Sequence, residues 1–339
     1  MLSYYIRNAN IYESSLNILI PSHFADELTR ELLPPHQLST YDRENDAAMA
    51  GLVARADILI SGSYQSAWKD PSGKRPKLIH SVGAGVDGID FNALPPGCSV
   101  CNVYGHARGV AEHAFLLLMA LHKNLPKLDA SLREGNWIRE QPYLPEMRDR
   151  NLLVLGLGQI GEQLVRWGKF LDMNITGLTR SPSSERASKL GLDNFGSLQY
   201  LEKHLPNADF LVTALPDTPE TKSLIDMKAF QAMKTTAFIV NVGRGPVIEE
   251  QALYEALRTR MIAGAGIDVW YQYPTAENPT RHPSRYPLYE LDNIIMTPHK
   301  PTIETMAYRW REIAENVRRF AKAESLKNLV YHREASGEL

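Results

Sequence analysis

The chain has 339 residues, 44% of them hydrophobic and 22% charged, with a formal net charge of -2. That is the composition of an ordinary globular protein long enough for two domains, and its near-neutral charge argues against a nucleic-acid or anionic-membrane surface. Apolar runs such as 114–121 are too short to cross a bilayer, and the N-terminus Met1-Leu2-Ser3-Tyr4-Tyr5-Ile6-Arg7 lacks the order of a signal peptide. Two cysteines make no disulfide framework, so a reducing, cytoplasmic setting is expected.

Residues 17–21 read as a first strand and 22–33 as the helix after it. Further strands are expected at 57–62, 77–82 and 98–103, with Gly83-Ala84-Gly85-Val86-Asp87 following the second of these. Strands alternating with helices indicate an open parallel sheet, whose ligands bind beyond the carboxyl ends of the strands. Residues 83–85 and 104–109 are therefore expected to line a pocket. Cys98 and Cys101 form a C-x-x-C, but on a strand residues three apart face opposite ways, which favours packing over redox chemistry. Residues 111–123 form a strongly apolar helix, expected to cross between domains, and 127–150 a helix followed by an irregular loop.

The run Leu152-Leu153-Val154-Leu155 then enters Gly156-Leu157-Gly158-Gln159-Ile160-Gly161, and 162–171 continues with helical character. In a strand–G-x-G-x-x-G–helix unit the first glycine makes a tight turn. The second admits a pyrophosphate to the backbone, and the third lets helix pack on strand, with the phosphates at the helix N-terminus. A dinucleotide site is expected here. A second series of strands follows at 173–179, 208–214, 236–242, 264–269 and 293–297, then a helical tail over 303–323 and frayed last residues. Two such units imply a cleft between them, a common place for a small-molecule site.

Three positions carry candidate chemistry. Where a carboxylate would bind the ribose 2′-hydroxyl of NAD, the chain has Thr179, Arg180 and Ser181; an arginine with flanking hydroxyls suits the 2′-phosphate of NADP(H) instead, with NAD(H) still possible. The strand at 236–242 ends in Gly243-Arg244-Gly245, leaving a guanidinium at the sheet edge to fork onto a carboxylate or polarise a carbonyl. Thr297-Pro298-His299 puts a histidine at another strand end, suited to acid/base work.

Together these motifs resemble the D-isomer-specific 2-hydroxyacid dehydrogenase family over nearly the whole chain. The resemblance is carried by Ser81-Val82-Gly83-Ala84-Gly85-Val86-Asp87, Val110-Ala111-Glu112-His113, the glycine motif, Leu215-Pro216-Asp217-Thr218-Pro219-Glu220-Thr221, Asn241-Val242-Gly243-Arg244-Gly245, Gly266-Ile267-Asp268-Val269-Trp270 and Thr297-Pro298-His299. It implies an α/β chain of two Rossmann-like domains, a cofactor domain (104–298) inserted into a flavodoxin-like substrate domain (1–103 and 299–339). It further implies a homodimer joined through the cofactor domains, which the apolar helix at 111–123 fits. By the same resemblance Arg244 holds the carboxylate and reacting oxygen of a 2-oxo or D-2-hydroxy acid. The backbone N–H groups near Ala84 and Gly85 complete that site, and His299 moves the proton. Asp268 contacts the nicotinamide amide, with Val110, Gly156, Gly158, Gln159, Ile160, Gly161, Pro216, Thr221, Val242 and Gly243 along the cofactor. No metal, nucleic acid or membrane is called for.

The chain also departs from the family pattern. Tyr273 occupies the place of the usual glutamate partner of the histidine; a phenol can hydrogen-bond to an imidazolium but lends it no charge, so His299 is expected to hold its proton less tightly. His106 replaces a frequent asparagine, and Lys300-Pro301-Thr302 replaces an apolar-Ala-Gly, with Lys300 placed to meet a further anionic group on a substrate. Glyoxylate, hydroxypyruvate and larger 2-keto acids are all compatible. So are two other readings, a formate- or phosphite-type dehydrogenase and a nucleotide-sensing interaction protein with incidental turnover, like the C-terminal-binding-protein corepressors.

Overall fold

The computed structural model describes residues 15–32, 35–42, 46–137, 144–274, 278–300 and 306–334. The N-terminal heptapeptide, Pro142, Pro301, Thr302 and the expected start of the tail helix lie outside the described residues. The chain forms two compact units, Met1–Gly105 with Glu304–Leu339, and His106–Ile303, so the second is carried within the chain of the first. Among the described residues no helix is long and apolar enough to cross a membrane.

The first unit is built on a six-stranded sheet, in spatial order Leu329–His332, Ser99–Cys101, Leu78–His80, Ile58–Ile60, Asn17–Pro21 and Gln37–Tyr41. The last five are parallel and run 2-1-3-4-5 in chain order, the flavodoxin-like arrangement. The cores Ile58–Ile60 and Leu78–His80 are buried throughout, as strands covered on both faces must be. Trp310, Ile313, Ala314 and Val317 of helix Met306–Ala321 pack with Ile18, Leu28, Ile58 and Cys101, while Cys98 belongs to a separate core cluster with Leu59 and Ile79. Burial pushes both thiols up to about 12, so neither is available as a thiolate.

Two strands of this sheet escape the sequence reading. Leu329–His332 is not frayed but pairs antiparallel with Ser99–Cys101. All four of its residues are exposed, and it is held at the sheet edge by backbone pairing, by Ser99 Oγ against His332 Nδ1 at 2.9 Å and by the Phe91–Tyr331 ring contact. Gln37–Tyr41 is likewise an edge strand with no fully buried residue. The expected helix at 22–33 is a short 3₁₀ turn, Ser22–Phe24, followed by Ala25–Glu31.

His80 is fully buried, and its partners define its state. Nδ1 faces the Ser81 carbonyl at 2.9 Å, which can only accept, so Nδ1 carries the proton and Nε2 accepts from Asn316 Nδ2 at 2.9 Å. Burial pulls the imidazole down to about 4, against the opposing pull of the Ser81 bond and Glu312. The unfolded chain takes up this proton near pH 6.5 and the folded unit only near 4, so stability is lost as pH falls through that window, by roughly 3 kcal/mol at its lower end. The His80 ring resonances should remain those of a neutral imidazole at pH 5.5; a midpoint near 6.5 would contradict this assignment.

The second unit contains a seven-stranded parallel sheet in the order Asn194–Ser197, Asn174–Thr179, Asn151–Leu155, Phe210–Thr213, Phe238–Asn241, Gly264–Ile267 and Ile294–Met296. In chain order this is 3-2-1-4-5-6-7, with the switch point between Asn151–Leu155 and Phe210–Thr213. Helix Ala107–His122 lies wholly in this unit rather than crossing out of it. Its apolar face, Val110, Ala111, Ala114, Phe115, Leu117 and Leu118, is used up against the unit's own core.

Candidate active site

The glycine turn is built by close approach. Gly156 has φ 92°, a left-handed conformation, and a Cβ on Gly161 would stand 1.9 Å from the Gly156 carbonyl oxygen. Helix Gln159–Phe170 therefore starts directly against the end of strand Asn151–Leu155. Its N-cap, Gly158, supplies no side-chain cap, and a Cβ there would meet nothing within 4 Å. Uncapped amides, the positive end of the helix dipole and open space beside Gly158 fit a dinucleotide pyrophosphate. Gln159 is exposed and Ile160 half-buried at this start. Arg186, which sequence reasoning missed, reaches back from helix Ser184–Leu190 to donate to the Leu157 carbonyl and pairs with Glu162 at 2.7 Å.

Thr179, Arg180 and Ser181 stand at the carboxyl end of Asn174–Thr179, with Arg180 and Ser181 exposed. Glu220 lies near Arg180; its carboxyl is held below the ordinary value first by the Thr218 hydroxyl, with Arg180 a smaller cause. Thr221 is turned inward: its hydroxyl donates to the Pro216 carbonyl at 2.6 Å and accepts from the Thr218 N–H at 2.9 Å, stapling the turn that presents exposed Pro216. The Val110 and Val242 side chains are buried in the core, so only their backbones are left to border a ligand.

Three strand ends carry the reactive candidates. After Phe238–Asn241, the Asn241 side chain clamps the next turn, accepting from Gly243 N–H at 3.1 Å and donating to the Arg244 carbonyl at 2.9 Å. Arg244 leaves this clamp in extended conformation with Nη1 on the Gly243 carbonyl at 2.9 Å. After Gly264–Ile267 comes the buried Asp268, and after Ile294–Met296 come Thr297 and His299. His299 Nδ1 lies 2.9 Å from the Tyr273 hydroxyl, whose oxygen also accepts the Trp270 N–H at 3.1 Å. Partial desolvation lowers the His299 pKa below the ordinary imidazole value; Asp268 opposes this and Arg244 adds to it. Lys300 is exposed, and His106 stands at the N-cap of helix Ala107–His122.

In the first unit, Asn102 Nδ2 and Ser81 Oγ donate to the carbonyls of Ala84 and Gly85, both at 2.8 Å. Among the described residues the Ala84 and Gly85 N–H groups have no hydrogen-bond partner. No group of three or more metal-ligating side chains occurs among the described residues. A cavity of about 410 Å³ lined by His122, Arg150, Phe210, Thr236 and Phe238, among others, lies at the amino ends of the second unit's strands, away from these residues.

Residues 115–300 match the family model of the D-isomer specific 2-hydroxyacid dehydrogenase NAD binding domain. The chain belongs to this family. An NAD-binding domain is thus present in this 2-hydroxyacid dehydrogenase family member. It is 35% identical to D-3-phosphoglycerate dehydrogenase of Methanocaldococcus jannaschii over 82% of this chain and 52% of that protein. It spans about half the length of the curated phosphoglycerate dehydrogenases it matches. Against glyoxylate reductase of Korarchaeum cryptofilum it is 31% identical over 92% of this chain and 91% of that one. The crystal structure of a D-isomer specific 2-hydroxyacid dehydrogenase family protein from Aeromonas salmonicida superposes with a TM-score of 0.76 at 27% identity, covering 94% of this chain and 99% of that chain.

Proposed function

We propose that this protein interconverts a 2-oxo acid and a D-2-hydroxy acid with a nicotinamide dinucleotide, NADPH being preferred. The observation that carries this reading is the placement of Arg244, Asp268 and His299 at the ends of three adjacent strands of a dinucleotide-type sheet. When bound, the reduced nicotinamide supplies hydride to the carbonyl carbon. Arg244 forks onto the substrate carboxylate and its reacting oxygen. His299 Nε2 delivers the proton to that oxygen from an imidazolium, and in oxidation takes it back. The missing carboxylate at Thr179 and the exposed Arg180 support NADPH. Leu116, Leu125, Leu132 and Phe170, all more than half exposed on the second unit, support a homodimer.

The reading is tested by following loss of reduced-nicotinamide absorbance with NADPH and with NADH across a panel of 2-oxo acids. Turnover favouring NADPH is expected, and Arg180→Ala should reduce that preference by about tenfold. Consumption of neither cofactor would overturn the proposal.

His299, its pKa lowered first by desolvation, sets the expected pH dependence. Reduction needs the imidazolium, and the lowered His299 pKa means that reduction declines with rising pH from below about 6.5. Tyr273→Glu places a negative charge against Nδ1 and should raise this pKa. Reduction at pH 7.5 should then gain up to about tenfold, read from the alkaline limb of kcat/KM. A limb that does not move would remove Tyr273 from the proton balance.

A further inference from the structure

Asp268 is 1% exposed, and its carboxylate anchors a chain of hydrogen bonds. Its Oδ1 accepts the Thr297 hydroxyl at 2.6 Å and the backbone N–H of His299 at 3.1 Å. A hydroxyl has one hydrogen, and here it goes to the carboxylate, so Thr297 Oγ1 is left to accept from His113 Nε2, 3.0 Å away. That nitrogen also lies 3.5 Å from Asp268 Oδ1. The Thr297 carbonyl is pinned in turn by Trp270 Nε1 at 2.8 Å. His299 has φ 57°, a left-handed backbone that a residue with a Cβ seldom adopts without restraint. The restraint on its N–H is the Asp268 carboxylate.

We propose that His113 is a positioning residue: through Thr297 it fixes the Asp268 carboxylate in the orientation that holds the His299 backbone in its left-handed turn, and so aims the imidazole. His113 touches none of the reacting atoms and acts from the middle of helix Ala107–His122, two hydrogen bonds behind Asp268. Among the described residues the groups that bear on His299 within this unit are Tyr273, Asp268 and Arg244, and His113 acts on it through Thr297 and Asp268. The catalytic part of the proposal rests on His299 being the acid/base group.

The test compares His113→Phe, which keeps a ring and loses the donor, with His113→Gln, whose side-chain amide can return an N–H to Thr297. Thr297→Val breaks the same chain one step on. Three quantities are read on the full chain: hydrogen exchange of the His299 backbone amide without cofactor, NADPH affinity by fluorescence, and kcat for the 2-oxo acid. His113→Phe and Thr297→Val should each speed the His299 amide exchange and lower kcat by about tenfold or more, with NADPH affinity falling by a smaller factor than kcat. His113→Gln should recover most of both losses. Wild-type exchange and kcat in His113→Phe, equal impairment in the Gln and Phe variants, or a loss residing in NADPH affinity would each overturn the proposal. Should the wild-type protein reduce no 2-oxo acid, the functional reading fails by itself, and the exchange measurements still decide the positioning role.

Discussion

Arg244→Ala is expected to lower kcat/KM for the 2-oxo acid by about three orders of magnitude while leaving NADPH affinity near its wild-type value. The Asn241 side chain braces the turn from both sides, so the guanidinium projects from a rigid strand end. In the proposed reaction a forked cation there would serve two atoms at once: it would bind the carboxylate in ground state and transition state alike, and stabilise charge on the reacting oxygen only as the hydride arrives. Losing the first raises KM, and losing the second lowers kcat, so both should change. Arg244→Lys keeps the charge but not the planar fork and should recover only part of the loss, about tenfold. An alanine variant retaining more than a tenth of wild-type kcat/KM would mean that the carboxylate is recognised elsewhere.

Gly161→Ala should abolish measurable dinucleotide binding and destabilise the second unit by more than about 3 kcal/mol. The added Cβ would lie 1.9 Å from the Gly156 oxygen and 2.9 Å from its carbonyl carbon. Both are backbone atoms of a turn already in the left-handed region at φ 92°, so relief requires helix Gln159–Phe170 to move off the strand. Gly158→Ala is the informative contrast. Its Cβ would meet no protein atom within 4 Å, so thermal stability should be unchanged while binding weakens, because the methyl group enters the space a pyrophosphate needs. Melting temperature and cofactor titration on the two variants separate the roles. Full NADPH affinity in Gly161→Ala would remove the glycine turn from the binding site.

Much of the second unit was legible because its signals are local. The apolar run Leu152–Leu155 before three spaced glycines, and the short apolar strands that end in Arg244, Asp268 and His299, are readable where they stand. The helix Ala107–His122 was legible as a helix but not in its role: its apolar face belongs to its own unit's core, and nothing in its composition says which unit owns it. Thr221 is expected along the cofactor because of its motif, and that its hydroxyl closes its own turn is visible only in the fold. Arg186 left no sequence trace, since its partners are a carbonyl and a carboxylate 29 and 24 residues away.

While the edge strands Gln37–Tyr41, Asn194–Ser197 and Leu329–His332 escaped it, the sequence by itself determined the family, most of the strands and helices, and the strand ends at which the candidate residues stand. Those follow from hydrophobic period and turn chemistry, which act over a few residues. Only the tertiary structure decided who holds whom. His113 and Thr297 are 184 residues apart, His299 and Tyr273 are 26 apart, and the edge strand Leu329–His332 finds Ser99–Cys101 from the far end of the chain. Each partnership depends on which strand ends become neighbours in a sheet and which way a side chain leaves them. Those are properties of the folded backbone, and a hydrogen bond two ångströms out of place in the fold would look the same in the sequence.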